Sequence, residues 1–224
     1  MNPMNIGIVG AGNIGASLAR RFTELGHTVQ IANSRGPETL ADVAQQTGAT
    51  PTPLRDVARG KDIVVVAIPM RNVPELPPAL LDDAADDVVV IDSNNYVPQQ
   101  RDGRIQEIED GLLESHWVSR HLGRPVIKAF NNIGAAYLVS KARPHGDGDR
   151  VALPVSGDNA QTKALVMELI DDMGFDPVDV GMLEESWRQQ PGSLVYGTDL
   201  PMAGLLEALA ATPKQRPASY SASR

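Results

Sequence analysis

Cysteine is absent from the chain, which removes a disulfide framework, a thiolate nucleophile and a cysteine-ligated metal at once. Aromatic residues are scarce, at 4%, so any core must be built from Val, Ile, Leu and Ala. No apolar stretch approaches the roughly 18 residues that suggest a membrane-spanning helix. The sequence enters its first apolar run by Ile6 with no basic and apolar leader ahead of it, so a cytoplasmic protein without a membrane partner is expected. Positive charge is also short. Twenty Lys and Arg stand against 28 Asp and Glu, for a formal charge of -8. Nucleic acids and anionic surfaces reward clustered Lys and Arg, so nucleic acid is not an expected partner. The four histidines, His27, His116, His121 and His145, are scattered. Only His116 and His121 lie near each other, five positions apart, which is poor spacing for joint ligands on one helical face. No metal site is expected.

What is present is a repeating alternation. Apolar, β-branched runs at residues 6–9, 28–32, 63–68, 88–91 and 126–130 read as strands, most of them buried on both faces. Amphipathic stretches at 16–25 and 37–46 read as helices, the first closed by Gly26 and the second by Gly48. The segment 74–78 is rich in proline and leaves its neighbourhood without a clear helix. After a polar loop at 143–149, residues 151–155 and 175–180 read as strands flanking a helix at 159–173, followed by closing helices at 183–190 and 202–210. Strands alternating with helices imply a parallel sheet with right-handed crossovers. The expected architecture is therefore α/β: a Rossmann-type parallel sheet with helices on both faces over residues 1–142. A small strand-helix-strand portion with closing helices, 150–211, extends it. The Pro- and Ser-rich tail 212–224 is expected to be flexible.

Gly10-Ala11-Gly12-Asn13-Ile14-Gly15 falls between the first strand and the first helix, the context that gives a G-x-G-x-x-G motif its meaning. The first glycine permits the tight turn, the second lets a pyrophosphate approach the backbone, and the third lets helix and strand pack closely. The helix N-terminus then offers N–H groups and a positive dipole end to the diphosphate. At the end of the second strand, NAD-binding proteins carry an acidic residue for the ribose 2′-hydroxyl. Here the strand ends Ala32-Asn33-Ser34-Arg35. Arg35 can make charge-assisted hydrogen bonds to a 2′-phosphate and Ser34 can add another, so NADP(H) is favoured over NAD(H).

These motifs, together with Val65-Val66-Ala67-Ile68-Pro69, the block from Lys128 through Asn131-Asn132 to Ala135, and Trp187-Arg188-Gln189-Gln190-Pro191-Gly192, resemble the NADPH-dependent deazaflavin (coenzyme F420) reductase family. The resemblance runs from Ile6 to about Ala210. It implies hydride transfer between nicotinamide and a deazaflavin ring, with F420 as co-substrate, and a homodimer acting on a small-molecule acceptor. It also implies that Ala11 to Ile14 hold the pyrophosphate and Ser34 and Arg35 the 2′-phosphate. Ile68 and Met70 would border the adenosine or ribose, and Asn94, Asn132 and Ala135 the nicotinamide. No residue is expected to act as a catalytic acid or base, because hydride transfer between two stacked rings asks mainly for orientation and exclusion of water.

Two other functions fit the same nucleotide loop: an NADPH-linked reductase of a small carbonyl, imine or flavin, and a non-catalytic NADP(H)-binding sensor. Tyr137-x-x-x-Lys141 matches the pair by which short-chain dehydrogenases activate a tyrosine. The glycine spacing differs from theirs, however, and no serine stands a dozen residues upstream. Trp187 reads equally as core packing or as a wall of the acceptor site. Lys128 could neutralise an anionic substrate, but reads more simply as a surface lysine at a strand end.

Overall fold

The computed structural model describes residues 2–222. Eight strands share one sheet: β1 (Asn5–Val9), β2 (Thr28–Ala32), β3 (Thr50–Pro51), β4 (Ile63–Val66), β5 (Val89–Asp92), β6 (Ile127–Lys128), β7 (Ala152–Ser156) and β8 (Asp176–Gly181). Their order is β3-β2-β1-β4-β5-β6-β7-β8. The first six run parallel, in the 3-2-1-4-5-6 order of a dinucleotide-binding Rossmann sheet. β7 joins β6 antiparallel and β8 runs parallel to β7, so the last third continues the sheet with its direction reversed. The helices are α1 (Asn13–Glu24), α2 (Ala41–Thr47), α3 (Gln106–Glu109), α4 (Glu114–Leu122), α5 (Ala135–Ser140), α6 (Ala160–Asp172) and α7 (Met202–Ala211). Among the described residues no helix is long and apolar enough to cross a membrane.

The β-branched run of β4 shows why the sheet is covered on both sides. Ile63 and Val65 enter one core with Ile6 and Ile8 of β1, Leu18 and Phe22 of α1, Leu138 of α5 and Leu169 of α6. Val64 and Val66 enter the other, with Val57, Leu80, Leu81 and Val90. Successive strand side chains point to opposite faces, so an all-apolar strand needs both cores. Fully buried Phe22 packs edge-on to Phe130, and truncating such a side chain costs about 3–5 kcal/mol.

Several elements differ from the sequence expectation for local reasons. α1 begins at Asn13, inside the glycine loop, rather than at 16. The segment 37–46 opens as a 3-10 turn, Pro37–Leu40, before α2, and 183–190 is 3-10 helix over Leu183–Gln189. β4 stops at Val66 instead of 68, because Pro69 follows and the N–H of Ile68 is taken by the Asn94 side chain at 2.9 Å. β6 is only two residues long, since Phe130 turns into the left-handed region at φ 62°. β3, two residues long, carries no pattern a sequence reader could use.

In place of a free tail, residues 212–222 lie along the body. Arg216 reaches buried Glu114 at 2.7 Å, the Gln99 amide donates to the carbonyls of Ala218 and Ser221, and the N–H of Ala222 donates to Glu109.

Candidate functional site: a cleft along the strand ends

The loops leaving β1, β2, β4, β5 and β6 at their C-terminal ends line a continuous cleft made of two hollows. The narrower, about 310 Å³, runs from Gly10, Ala11 and Gly12 to Asn33, Ser34 and Arg35, with Leu54, Ile68 and Leu76 as apolar walls. The wider, about 500 Å³, is bounded by Asn13, Ile14, Asn94, Asn132, Ala135, Arg101 and Tyr196. Gly12, Ala67, Ile68 and Pro69 line both. β1 lies where the strand order reverses, the place at which open α/β sheets bind ligands.

The glycine loop is built for a close approach. Gly10 has φ 110°, and a Cβ there would stand 2.2 Å from the Ala67 carbonyl oxygen, so no other residue fits. A Cβ on Gly15 would stand 2.0 Å from the Gly10 oxygen, which is the tight helix-strand packing expected of the third glycine. Gly12 differs: a Cβ there meets nothing within 4 Å and would project into the cleft it lines. Gly12 also caps α1 without any side-chain cap, which leaves the first-turn N–H groups open to an anion. At the far end, the Asn33 carboxamide accepts from the N–H of Arg35 at 2.9 Å. That turn brings Ser34 and Arg35 into the cleft wall.

The wider hollow is lined by amides. Asn94 accepts the N–H of Ile68, while its Nδ2 has no partner among the described residues; buried Asn132 has none for either Nδ2 or Oδ1. Leaving buried polar groups unmade costs about 1–3 kcal/mol each, so three such atoms at one site suit a ligand that presents both a donor and acceptors. A nicotinamide carboxamide has that character. The backbone holding Asn132 is strained at Phe130, and such strain persists only where its surroundings enforce it. Asn131 does so: it exchanges hydrogen bonds with Asn95 at 2.8 and 3.0 Å and with Gln189 at 2.6 and 3.0 Å.

Beneath the amides lies a buried ion pair. Lys128 and Asp92, opposite each other on β6 and β5, approach to 3.2 Å with neither side chain exposed. Lys128 also donates to the Asn94 carbonyl, Ser115 donates to Asp92 at 2.7 Å, and the N–H of Asn94 donates to the other Asp92 oxygen at 2.9 Å. The reading of Lys128 as a surface residue is thus corrected; its partner lies 36 positions earlier.

On the rim, Arg101 is set by a single π-turn, Pro98–Asp102, and Tyr196 faces the same hollow. Burial pushes the Tyr196 phenol up from its ordinary pKa, Tyr220 and Glu114 add to the rise, and Arg101 opposes it. Neither residue was singled out by sequence, because nothing local marks an arginine in a polar turn or a tyrosine 95 positions later.

Of the residues singled out by sequence, Gly10, Ala11, Gly12, Ser34, Arg35, Asn13, Ile14, Ile68, Asn94, Asn132 and Ala135 line the cleft, and Gly15 packs beneath it. Met70 does not line it. Its side chain is fully buried with Val73, Tyr96, Trp117 and Val118, so the expected contact with adenosine or ribose is corrected to a core role. Trp187 lies outside the cleft, stacked by Arg188 at 4.3 Å. Lys141 sits over the ring of Tyr137, 4.6 Å from its centre, and pairs with Asp199; neither residue lines the cleft. His27, which follows the helix-ending Gly26, is buried.

A 3-2-1-4-5-6 sheet with a glycine loop at its reversal point and a cleft along its strand ends defines a dinucleotide-binding fold of the Rossmann class. Residues 5–96 match the model of the family described as NADP oxidoreductase, coenzyme F420-dependent. A hypothetical protein of Sinorhizobium meliloti is similar in structure at a TM-score of 0.75 and 31% identity, over 89% of this chain and 96% of that one. A protein of Arthrobacter sp. FB24 assigned as an F420-dependent NADP-reductase shares the fold at a TM-score of 0.66 and 24% identity, over 82% of this chain and 87% of that one. Over 80% of its length the chain is 31% identical to the metalloreductase STEAP3 of Rattus norvegicus. It spans 34% of that protein and 47% of protein YjhV of Escherichia coli, less than half the length of either curated relative.

Proposed function

We propose that the chain transfers a hydride between NADP(H) and a flat, deazaflavin-type acceptor stacked in the wider hollow. The observation that carries this reading is the buried, unpartnered amide set of Asn94 and Asn132, placed in the same cleft as the glycine loop and Arg35. The family description and the assignment of the Arthrobacter protein support the choice of acceptor.

In this reading the N–H groups at the start of α1 hold the pyrophosphate, with Gly12 giving it room. Ser34 and Arg35 take the 2′-phosphate, and Leu54, Ile68 and Leu76 flank the adenosine. Asn94 and Asn132 fix the nicotinamide carboxamide and hence which ring face is presented, with Ala135 close by. Bound there, NADPH supplies a hydride from C4 of its nicotinamide, and solvent supplies any proton the reduced acceptor needs. The chain contributes orientation and a partly dry wall, the main requirements of such a transfer.

The test is a single-turnover mixing experiment with NADPH-loaded protein and oxidised F420. Loss of the NADPH and deazaflavin absorbances together, at one rate that depends on protein, is expected. NADPH binding with no change in either band would remove the deazaflavin from the reading. The same cleft with a carbonyl or imine acceptor would need a proton donor, and among the described residues Tyr196 is the one phenol lining it.

A further inference from the structure

The wider hollow is otherwise lined by neutral groups, and Arg101 is the exception: among its lining residues no other side chain carries a formal charge. Its guanidinium is held from behind. Asp102, with no exposed side-chain surface, receives Nε and Nη2 at 3.0 Å each. Nη2 also donates to the Asn95 carbonyl. Asp102 itself is fixed by the N–H of Val97 at 2.7 Å, and the turn is tied down by the contacts of Gln99 with the tail. What remains is Nη1, which has no partner among the described residues, on a side chain 37% exposed and lining the cleft. The Tyr196 hydroxyl, also without a hydrogen-bond partner among the described residues, lines the same hollow, close enough for the charge of Arg101 to act on it. The protein as a whole is acidic, at -8, so this fixed cation is a local feature and not part of a basic surface.

We propose that the acceptor bound in the wider hollow carries an oxyanion, which Arg101 receives through its free Nη1 in the hollow that the Tyr196 hydroxyl also lines. This rests on the reading of the cleft as an NADP(H) site with its nicotinamide at the wide end, and it adds the charge of the second substrate. Arg101 is a binding residue for that group, and Asp102 is a positioning residue that turns the guanidinium inward. The oxyanion is supplied either by a phosphate appended to a ring cofactor or by the carboxylate of a small 2-oxo acid. Both present the same chemistry to a guanidinium edge.

The experiment is calorimetric titration of the NADP+-saturated protein with two matched pairs, FMN against riboflavin and pyruvate against pyruvamide. Within each pair the partners differ chiefly in the anionic group. In at least one pair the anion is expected to bind ten times tighter or more, and the pair that responds identifies the source. Arg101→Gln is expected to abolish that preference and Arg101→Lys to keep part of it. Saturable NADP+ binding with no preference for either anion, including no binding of any of the four, overturns the proposal while leaving the NADP(H) site in place. A preference that survives in Arg101→Gln also overturns it. A drop in NADP+ affinity in that variant would place the guanidinium on the cofactor's own phosphates, with the same consequence. Failure of the wild type to bind NADP+ at all would instead bring down the underlying reading.

Discussion

The ammonium of Lys128 lies 3.2 Å from the carboxylate of Asp92 with both side chains fully buried, directly beneath the asparagine loop that lines the wide end of the cleft. Breaking a buried pair by removing one partner costs about 3–5 kcal/mol, whereas replacing both by apolar groups can be neutral. Lys128→Met is therefore expected to destabilise the fold by roughly that amount, since Ser115 and the N–H of Asn94 alone must then hold the Asp92 charge. Denaturant midpoints for Lys128→Met and the double variant Asp92→Leu/Lys128→Met check this. The double variant should recover much of the stability but lose order at Asn94. A single variant as stable as wild type would show that the pair has no structural role.

Asn132 should show the opposite balance. Its two unpartnered amide atoms are a cost in the free protein, so Asn132→Ala is expected to leave stability unchanged or raise it by up to about 1 kcal/mol. NADPH binding should weaken tenfold or more in the same preparation. Loss of stability with cofactor affinity intact would make Asn132 a packing residue.

Stability should depend on pH through His27. The imidazole accepts from the N–H of Met4 at 3.2 Å while its Nε2 has no partner among the described residues. Burial, ahead of the opposing charge of Asp172, pushes its pKa below the ordinary value of 6.5. A depressed folded-state pKa means that the unfolded chain takes up the proton first as pH falls. His27 thus contributes its full stability above about pH 6.5, and that contribution declines as pH drops through the window down to its folded value. Urea midpoints between roughly pH 5 and 7 should slope less in His27→Gln. An unchanged slope would assign the effect to other groups.

What the sequence made legible is what neighbours in the chain decide. The glycine loop, the β-branched strands and the Asn33-Ser34-Arg35 turn are local patterns, and the cleft's narrow end follows from them. The wide end does not. Lys128 reads as a surface residue until Asp92 arrives across the sheet, and Met70 reads as a cofactor neighbour until Tyr96 and Trp117 enclose it. The Pro- and Ser-rich tail has the composition of a free segment, yet Arg216 finds in Glu114 a buried carboxylate whose pKa burial has pushed up. Arg101 and Tyr196 come to line one hollow only through long-range packing. The reversed direction of β7 and β8 was equally out of reach, because strand patterns carry no sign of parallel or antiparallel pairing.

The nucleotide preference of the proposed NADP(H) cleft is assigned to Arg35. The most direct measurement is a calorimetric titration of wild type and Arg35→Ala with NADPH and with NADH. A charge-assisted hydrogen bond contributes about 1.5–3 kcal/mol, so the variant should lose roughly ten- to hundredfold in NADPH affinity with NADH affinity little changed. Equal affinity of the wild type for the two nucleotides, or a variant that weakens both alike, would contradict it.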